Sequence, residues 1–245
     1  MTELAESLRK CKVEGNVLYL PSIKEGALKN YNEVKSSLLK AGAKYKSNSF
    51  VFPNDAQPYI DKLTGGEKIN IKKEFQFFGT SASLADEVVK EADIKKTHKV
   101  LEPSAGQGAI VEAITRKVPT LIVDVCELMD INRNVLKQNS NIQFVGEDFL
   151  QIPSKYVGYY DRIIANPPFN KNQDIDHIRK MYECLKVKGR LVSIASKHWQ
   201  TSTNKKETEF REWLKAVGAK ISEVDAGRFK ESGTNIATCI IVINK

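Results

Sequence analysis

Apolar residues recur along this chain with two different spacings, and the spacing predicts which segments are strands and which are helices. Short continuous apolar runs, typical of buried strands, fall at 17–20, 50–52, 99–101, 121–126, 142–145, 160–165, 190–195, 220–224 and 236–243. Apolar residues three and four positions apart, typical of helices, fall at 28–41, 57–63, 109–114, 174–186 and 206–217. We expect Gly189 to end the helix over 174–186. Because strands and helices alternate, the pattern indicates an α/β fold.

The pattern divides the chain near residue 72. Residues 1–72 carry two strands and two helices and include the breaker Gly65-Gly66, which predicts a small α/β N-terminal module. Residues 73–245 carry the longer series and predict one doubly wound domain. Within the module, Lys44-Tyr45-Lys46-Ser47-Asn48 makes a basic turn before a strand. Its lysines could contact phosphates and its tyrosine could stack on a base, although a solvated hairpin explains the same residues.

A stiff polar turn, Asn166-Pro167-Pro168-Phe169, directly follows the predicted strand 160–165. Each proline fixes φ and removes a backbone donor, so the turn presents one amide, accepting carbonyls and an aromatic face. This combination suits a planar ring with an exocyclic amino group, whose hydrogens the carbonyl oxygens accept while the ring stacks on Phe169. An ordinary turn at a strand exit is the alternative, because Asn and Pro are common in turns.

A glycine-containing turn, Glu102-Pro103-Ser104-Ala105-Gly106-Gln107-Gly108, separates the strand 99–101 from the helix 109–114. Strand, glycine turn and helix form a nucleotide-binding layout, because residues without Cβ atoms let a ligand approach the backbone. Position 111 is Val and no Gly-Lys-Ser/Thr follows, so neither a dinucleotide fingerprint nor a P-loop is present. The turn therefore favours a non-phosphorylated adenosyl group, and Glu102 suits an ammonium better than a phosphate.

Acids follow the next two strands. Glu127 ends the strand 121–126, about 20 residues after the glycine turn, where a carboxylate accepts hydrogen bonds from ribose hydroxyls in this architecture. Asp148 follows the run 142–145 and could accept an adenine amino group, while Phe149 could pack on the purine. Each acid alone is an ordinary surface residue. Together with the glycine turn they indicate one ligand site at the carboxyl edge of the sheet.

In combination these motifs resemble the class I S-adenosylmethionine-dependent methyltransferases that methylate adenine N6 in nucleic acids, over residues 76–245. The resemblance implies a Rossmann-like seven-stranded methyltransferase sheet with an antiparallel last strand, and S-adenosylmethionine as the cofactor. The catalytic residues it implies are Asn166, Pro167, Pro168 and Phe169. The cofactor-binding residues it implies are Phe78, Thr80, Glu102, Pro103, Ala105, Gly106, Gly108, Glu127, Asp148, Phe149 and Asn166. The segment 76–80 is similar to the family's Phe-x-Thr-Pro, with Ser81 in place of the proline.

A net charge of +8 and a pI near 9.1 favour a polyanionic partner, although a generally basic protein has the same balance. The loop 196–206 lies at a strand's carboxyl end and interleaves basic residues with one Trp. The candidate nucleic-acid contacts in this loop are Lys197, His198, Trp199 and Lys205. A polar connector with Trp199 packed back onto the sheet is the alternative.

The resulting hypothesis is a site-specific DNA adenine-N6 methyltransferase, with DNA favoured over RNA. The alternatives are an RNA adenine-N6 enzyme, a protein glutamine methyltransferase, and a nucleic-acid-binding protein that keeps the cofactor pocket without the reaction. No segment is large enough for a separate target-recognition domain, so the N-terminal module or a specificity partner would read the target. The oligomeric state stays open.

Four scattered cysteines, a start without signal-peptide layout and no membrane-length apolar run predict a cytoplasmic protein without a membrane partner. The three histidines and the cysteines show no ligand spacing, so no metal is expected.

Overall fold

The computed structural model describes residues 2–22, 26–52, 55–69, 80–224 and 237–245. The chain forms two compact units, Met1–Phe77 and Phe78–Lys245. Within the described ranges, no helix combines the length and the apolar character needed to cross a membrane.

In its described residues, the first unit contains one antiparallel sheet and three helices. The helices are α1 (Glu3–Arg9), α2 (Tyr31–Lys40) and α3 (Gln57–Thr64), and the strands are β1 (Lys12–Glu14), β2 (Val17–Tyr19), β3 (Lys44–Lys46) and β4 (Ser49–Val51). The strand order is β1-β2-β4-β3. Leu18 and Phe50 are paired across β2 and β4 and are fully buried, so they centre the core of this unit.

The sequence pattern missed α1 and β1, and it described β3 as a turn. Both strands are three residues long. The strand β1 begins with Lys12 and ends with Glu14, and β3 has a lysine at each end, so neither contains an apolar run. The turn itself is confined to Ser47 and Asn48, whose φ angles are +46° and +60°. Two residues with positive φ are typical of the type I′ turn that joins hairpin strands.

The second unit is a seven-stranded sheet with helices on both faces. Its strands are β5 (Val100–Glu102), β6 (Val123–Cys126), β7 (Ile142–Gly146), β8 (Tyr160–Ala165), β9 (Leu185–Ser196), β10 (Lys220–Val224) and β11 (Thr238–Asn244). Its helices are α4 (Ala82–Glu91), α5 (Ala109–Lys117), α6 (Asp130–Leu136), α7 (Gln173–Cys184), α8 (His198–Thr201) and α9 (Lys205–Ala216). The strand order is β10-β11-β9-β8-β5-β6-β7, with β11 antiparallel to both its neighbours. The predicted Rossmann-like sheet is therefore confirmed.

Successive residues of the central strands enter two different cores. Ile164 and Val192 pack with α4 and α5 on one face, whereas Ile163 and Leu191 pack with α7 and α9 on the other. Because both faces are covered, these strands are continuous apolar runs and not alternating ones. The parallel strands β5 to β9 bring their carboxyl ends to one edge, which is where an open α/β sheet binds ligands.

The predicted role of Gly189 as the end of a helix is wrong. The helix α7 ends at Cys184 and β9 begins at the next residue. The pairing of β8 with β9 then jumps from Tyr160–Leu185 to Arg162–Arg190. A Cβ atom on Gly189 would lie 2.7 Å from Leu185 Cγ, so this irregular stretch of strand needs glycine for its close backbone approach.

Candidate active site

The predicted catalytic turn leaves the carboxyl end of β8, the strand between β5 and β9. Asn166 is the first residue after β8, and its Nδ2 donates to Thr80 Oγ1 at 3.1 Å. Pro167 is buried, whereas Pro168 and Phe169 are partly exposed. The Phe169 ring packs against the core formed with α4 and α5. The Thr80 hydroxyl and the two prolines therefore hold the Asn166 amide in one orientation.

The glycine turn after β5 is held by hydrogen bonds to the end of β6. Ala105 N donates to Cys126 O at 3.0 Å, and Gly106 N donates to Glu127 Oε2 at 2.7 Å. Gly106 and Gly108 have φ angles of +55° and +91°, which L-residues with side chains rarely adopt. A Cβ on Gly108 would also lie 3.1 Å from Leu136 Cδ2. Both glycines are thus required by the backbone path of the turn.

Glu127 is a buried carboxylate that organises the same edge. Besides Gly106, it accepts hydrogen bonds at Oε1 from Met129 N at 2.9 Å and Asn132 Nδ2 at 3.2 Å. Burial raises the pKa of Glu127, and the hydrogen bonds from Met129, Gly106 and Asn132 oppose that rise. A carboxylate has about four acceptor positions. Three are in use, so one is left for a ribose hydroxyl.

Arg133 is a residue of this edge that the sequence pattern did not reveal. Its Nη1 donates to Glu127 O at 3.0 Å and to Leu128 O at 2.6 Å, and its Nη2 lies 3.4 Å from Glu147 Oε1. The guanidinium therefore fixes the backbone just after Glu127. Leu128 remains 57 % exposed on this turn. An arginine six residues after a strand-end acid, on the short helix that follows, was the available signal.

Glu102 lies at the end of β5 and is 1 % exposed. Its Oε2 is buried and has no hydrogen-bond partner within the described parts of the chain. Burial raises the pKa of Glu102 well above its ordinary value, the charge of Glu127 raises it further, and the Val111 backbone N–H opposes both. A buried acid whose pKa is raised by burial and by a second acid suits a positively charged ligand, which would favour its charged form.

The expected cofactor, S-adenosylmethionine, fits these donors and acceptors. It carries an ammonium, which matches the acid Glu102. Its ribose hydroxyls match the remaining acceptor position of Glu127, and Gly106 and Gly108 have no Cβ atoms that would keep a ligand away from the backbone of the turn. Pro103 and Ala105 belong to the same turn, with Ala105 buried. Thr80 lies beside Asn166, whose Nδ2 donates a hydrogen bond to the Thr80 hydroxyl.

The raised pKa of Glu102 predicts a specific pH dependence of stability. A carboxyl group whose pKa is higher in the folded state makes the folded protein bind more protons, so stability falls as pH rises from the unfolded pKa through the folded one. We expect Glu102→Gln to remove this loss, so that the ligand-free variant melts a few degrees above wild type at pH 8 and close to it at pH 5. Thermal unfolding by circular dichroism at both pH values tests this, and a pH-independent difference would contradict it.

Asp148 and Phe149 follow β7 as predicted, but their environments differ from the predicted contacts with adenine. Asp148 Oδ1 accepts from Leu150 N at 2.9 Å and caps a short 3-10 turn at Phe149–Gln151. Phe149 is only 2 % exposed, with its ring centroid 5.5 Å from that of His177. Its predicted packing against a purine is therefore corrected, because the core between β7 and α7 already covers the ring.

His177 on α7 is a second residue that sequence reasoning missed. Burial lowers its pKa to about 4, so the imidazole is neutral at physiological pH. Its Nδ1 lies 3.4 Å from Ser104 Oγ in the glycine turn. His177 thus connects the glycine turn with Phe149. No spacing in the sequence announces this contact, because the three residues come from distant segments.

Buried acids also tie down the exit of the predicted catalytic turn. Glu207 on α9 accepts from Asn172 Nδ2 at 2.9 Å and from Asn204 Nδ2 at 3.2 Å. Asp174 Oδ2 accepts from the backbone N and the Oγ of Ser196, at 3.0 and 2.8 Å, at the end of β9. These bonds hold α7, α9 and the end of β9 in fixed relation around the turn.

The candidate nucleic-acid residues lie together but are largely engaged with the protein. Lys197 Nζ lies 2.7 Å from Glu223, His198 Nε2 lies 3.3 Å from Glu207, and Lys205 Nζ lies 3.8 Å from Glu209. Trp199 is 3 % exposed and packs edge-on against Phe210 with centroids 5.2 Å apart. The prediction that Trp199 contacts nucleic acid is therefore corrected. Its indole is part of the core, which is the alternative that the sequence left open.

One candidate site residue, Phe78, lies outside the described ranges. Its neighbours Gln76, Phe77 and Gly79, from the segment compared with the family's Phe-x-Thr-Pro, also lie outside them.

Comparison with known proteins gives a family match over the second unit. The model of the methyltransferase small domain matches residues 79–220. A ribosomal RNA small subunit methyltransferase A from Caldanaerobacter subterraneus is 27 % identical over 132 residues, 50 % of this chain and 48 % of that protein. An rRNA adenine N-6-methyltransferase from Escherichia coli is 27 % identical over 109 residues, 43 % of each chain. The chain thus spans about half the length of the curated relatives it matches.

A solved structure shares the fold. The methyltransferase subunit of a type I restriction-modification system from Streptococcus thermophilus superposes with a TM-score of 0.60 at 18 % sequence identity. The match covers 68 % of this chain and 44 % of that subunit. At this identity the likeness concerns the architecture alone.

Proposed function

The chain belongs to the methyltransferase small domain family and uses S-adenosylmethionine, and from this premise we propose that it methylates N6 of adenine in DNA. The observation that carries the proposal is the turn Asn166-Pro167-Pro168-Phe169 at the carboxyl end of β8, beside the glycine turn of the neighbouring strand β5. Cofactor binding alone would not require an amide fixed between the end of a strand and two prolines.

The turn's acceptors match the chemistry that an exocyclic amino group requires. The adenine N6 lone pair is delocalised into the ring, so the nitrogen is a poor nucleophile. Hydrogen-bond acceptance by the Asn166 amide oxygen and the Pro167 carbonyl would draw it toward a tetrahedral shape. The partly exposed Phe169 ring would stack on the base, which a duplex substrate must first flip out. S-adenosylmethionine supplies the electrophilic methyl group.

The surroundings of the Asn166 amide support this role. Its Nδ2 donates to Thr80 Oγ1, which assigns the oxygen Oδ1 to the opposite side of the amide. Dipoles fixed in advance and shielded from water stabilise a developing charge most effectively. The proposed cofactor residues are Thr80, Glu102, Pro103, Ala105, Gly106, Gly108, Glu127 and Asp148, with Phe78 proposed from the sequence alone.

RNA is the second candidate substrate, and one observation favours it. Both curated relatives carry names that specify ribosomal RNA, and one of them names adenine N6. The Asn-Pro-Pro-aromatic turn serves both nucleic acids by the same amino-group chemistry. DNA remains the leading proposal, and parallel labelling of both nucleic acids decides between them.

The four cysteines are free, and three of them are buried in the second unit. Burial raises the pKa of Cys126 and Cys239 to about 12, so both act as small apolar core residues. Free thiols of this kind support the proposed cytoplasmic location, where thiols stay reduced.

A single labelling experiment separates the candidate substrates. We expect tritiated methyl groups from S-adenosylmethionine to enter unmethylated duplex DNA, and nucleoside analysis to identify the product as N6-methyladenine. Total RNA and a ribosomal protein fraction serve as parallel substrates, and enzyme carrying Asn166→Ala serves as the blank. Label confined to RNA would replace the leading substrate with the second candidate. Label on glutamine in the protein fraction would overturn the adenine assignment altogether.

A further inference from the structure

Two lysines of the segment 196–206 are already engaged within the protein. Lys197 is paired with Glu223 at 2.7 Å, and Lys206 is paired with Asp176 at 2.6 Å. An ion-paired lysine must give up its carboxylate before it can neutralise a phosphate. With Trp199 buried as well, this segment offers fewer free contacts to a nucleic acid than its sequence indicates.

A different basic surface lies on the edge strand of the first unit. The strand β3 pairs with β4 on one side only, and all five residues from Lys44 to Asn48 are exposed. Lys44 and Lys46 are two positions apart in a strand and so point to the same side. Neither forms an ion pair with any residue in the described ranges of the chain. Their charges are therefore available to an external anion.

Tyr45 sits between these lysines on the opposite side of the strand and is fixed in place. It is 45 % exposed, and its ring lies edge-on to Phe50 with centroids 5.2 Å apart. The Nζ of Lys35 on α2 lies 5.4 Å from the Tyr45 ring centroid. This contact adds a third cation and an oriented aromatic ring on the other face of the same edge strand.

The charge of the first unit agrees with this surface. Residues 1–77 contain 13 Lys and Arg against 9 Asp and Glu, and residues 78–245 contain 25 against 21. Both parts therefore carry a net charge of +4. Because the first part is less than half as long as the second, its positive charge is more concentrated, which favours association with a polyanion.

We propose that the edge strand β3 binds the phosphate backbone of duplex DNA through Lys44 and Lys46 on one face, with Lys35 and Tyr45 on the other, and these four residues are named the hairpin surface. The proposal rests on the proposed function, since the bound DNA would be the substrate. Phosphate contacts fix a protein on a duplex without reading its sequence, and exposed lysines on an edge strand can supply them. The strand β3 is the outer strand of a four-stranded sheet, so its lysines and the exposed turn at Ser47 and Asn48 are the parts of the hairpin that a duplex can reach. The hairpin surface would thus add substrate affinity separately from the segment 196–206.

Binding measured separately from methyl transfer tests the hairpin surface. The full chain, with S-adenosylhomocysteine present, is titrated against a short fluorescein-labelled duplex DNA of mixed sequence, over about 50 to 200 mM salt. For Lys44→Gln/Lys46→Gln we expect roughly tenfold weaker binding at the lowest salt. We also expect the slope of log K against log salt to become shallower by about 2, because each lost phosphate contact removes about 0.9.

The matched control is Lys95→Gln/Lys96→Gln, which removes two exposed charges before the amino end of β5. We expect it to leave the slope unchanged. Equal losses of DNA affinity in both double variants would mean that net charge alone explains the effect, and would overturn the proposal. An unchanged slope in Lys44→Gln/Lys46→Gln, or loss of binding to a labelled RNA hairpin but not to DNA, would overturn it as well. Circular dichroism confirms that each variant is folded.

Parallel assays distinguish failure of this inference from failure of the proposed function. If wild type binds duplex DNA through the hairpin surface but transfers no methyl group to it, the function is wrong and the surface stands. If wild type methylates DNA and the double variant binds and methylates it equally well, the function stands and the hairpin surface is wrong.

Discussion

Replacing Asn166 with Ala is expected to lower the rate of methyl transfer by about 10²–10³-fold, because removal of one preorganised polar group at a reacting centre has this effect in other enzymes. The affinity for S-adenosylmethionine should change little. The glycine turn is held by hydrogen bonds to Cys126 O and Glu127 Oε2, whereas the Asn166 amide donates to Thr80. Single-turnover transfer of tritiated methyl, combined with calorimetric titration of the cofactor, measures both quantities.

Two further variants sharpen this test. Asn134→Ala makes the same chemical change on an exposed position of α6 and should leave transfer unaltered. Asn166→Asp keeps an acceptor oxygen but loses the Nδ2 that donates to Thr80. We expect it to retain more activity than Asn166→Ala, because the acceptor is what the amino group needs. Wild-type turnover in Asn166→Ala would remove the catalytic role of this residue.

Replacing Glu127 with Gln should weaken S-adenosylmethionine binding by about 10- to 100-fold. The glutamine can accept at one oxygen only, so it cannot keep both the bond from Gly106 and the bonds from Met129 and Asn132. A hydrogen bond to a charged group contributes about 1.5–3 kcal/mol, and each 1.4 kcal/mol corresponds to about tenfold in affinity. The loss of the ribose acceptor acts in the same direction.

Calorimetric titration with S-adenosylmethionine measures the effect of Glu127→Gln, with Asp124→Asn as the matched control. Asp124 is an acid on the same strand, but it accepts from the Tyr160 hydroxyl at 2.9 Å and has no bond to the glycine turn. We expect the control to bind the cofactor as wild type does. Equal affinity in all three proteins would assign Glu127 a purely structural role.

Glu102 shows how a binding site can cost stability. A buried carboxylate oxygen without a hydrogen-bond partner in the described structure destabilises the ligand-free protein. The same oxygen is what a cationic ligand would pair with. Glu102→Gln should therefore separate the two effects, with a higher melting temperature at alkaline pH and weaker binding of S-adenosylmethionine. Such a trade between stability and function is common at active sites.

The sequence alone predicted the succession of strands in the second unit and the edge that carries the candidate site, but not the helices α4 and α6. Apolar periodicity and glycine placement are local properties, and they identified the turns after β5 and β8 and the acid Glu127. Even the antiparallel last strand followed from the resemblance, and the structure confirmed it. Local pattern failed where the local signal was absent, as in the three-residue strands β1 and β3.

Only the tertiary structure decided which of the candidate side chains are available to a ligand. Trp199 and Phe149 looked suited to stacking, but Phe210 and His177, from other segments, cover them. Lys197 looked free, but Glu223 on another strand pairs with it, whereas Lys44 and Lys46 keep their charges exposed. Burial and charge pairing depend on residues far apart in the chain. The sequence therefore determined the framework and the chemistry at its strand ends, and folding determined which groups face solvent.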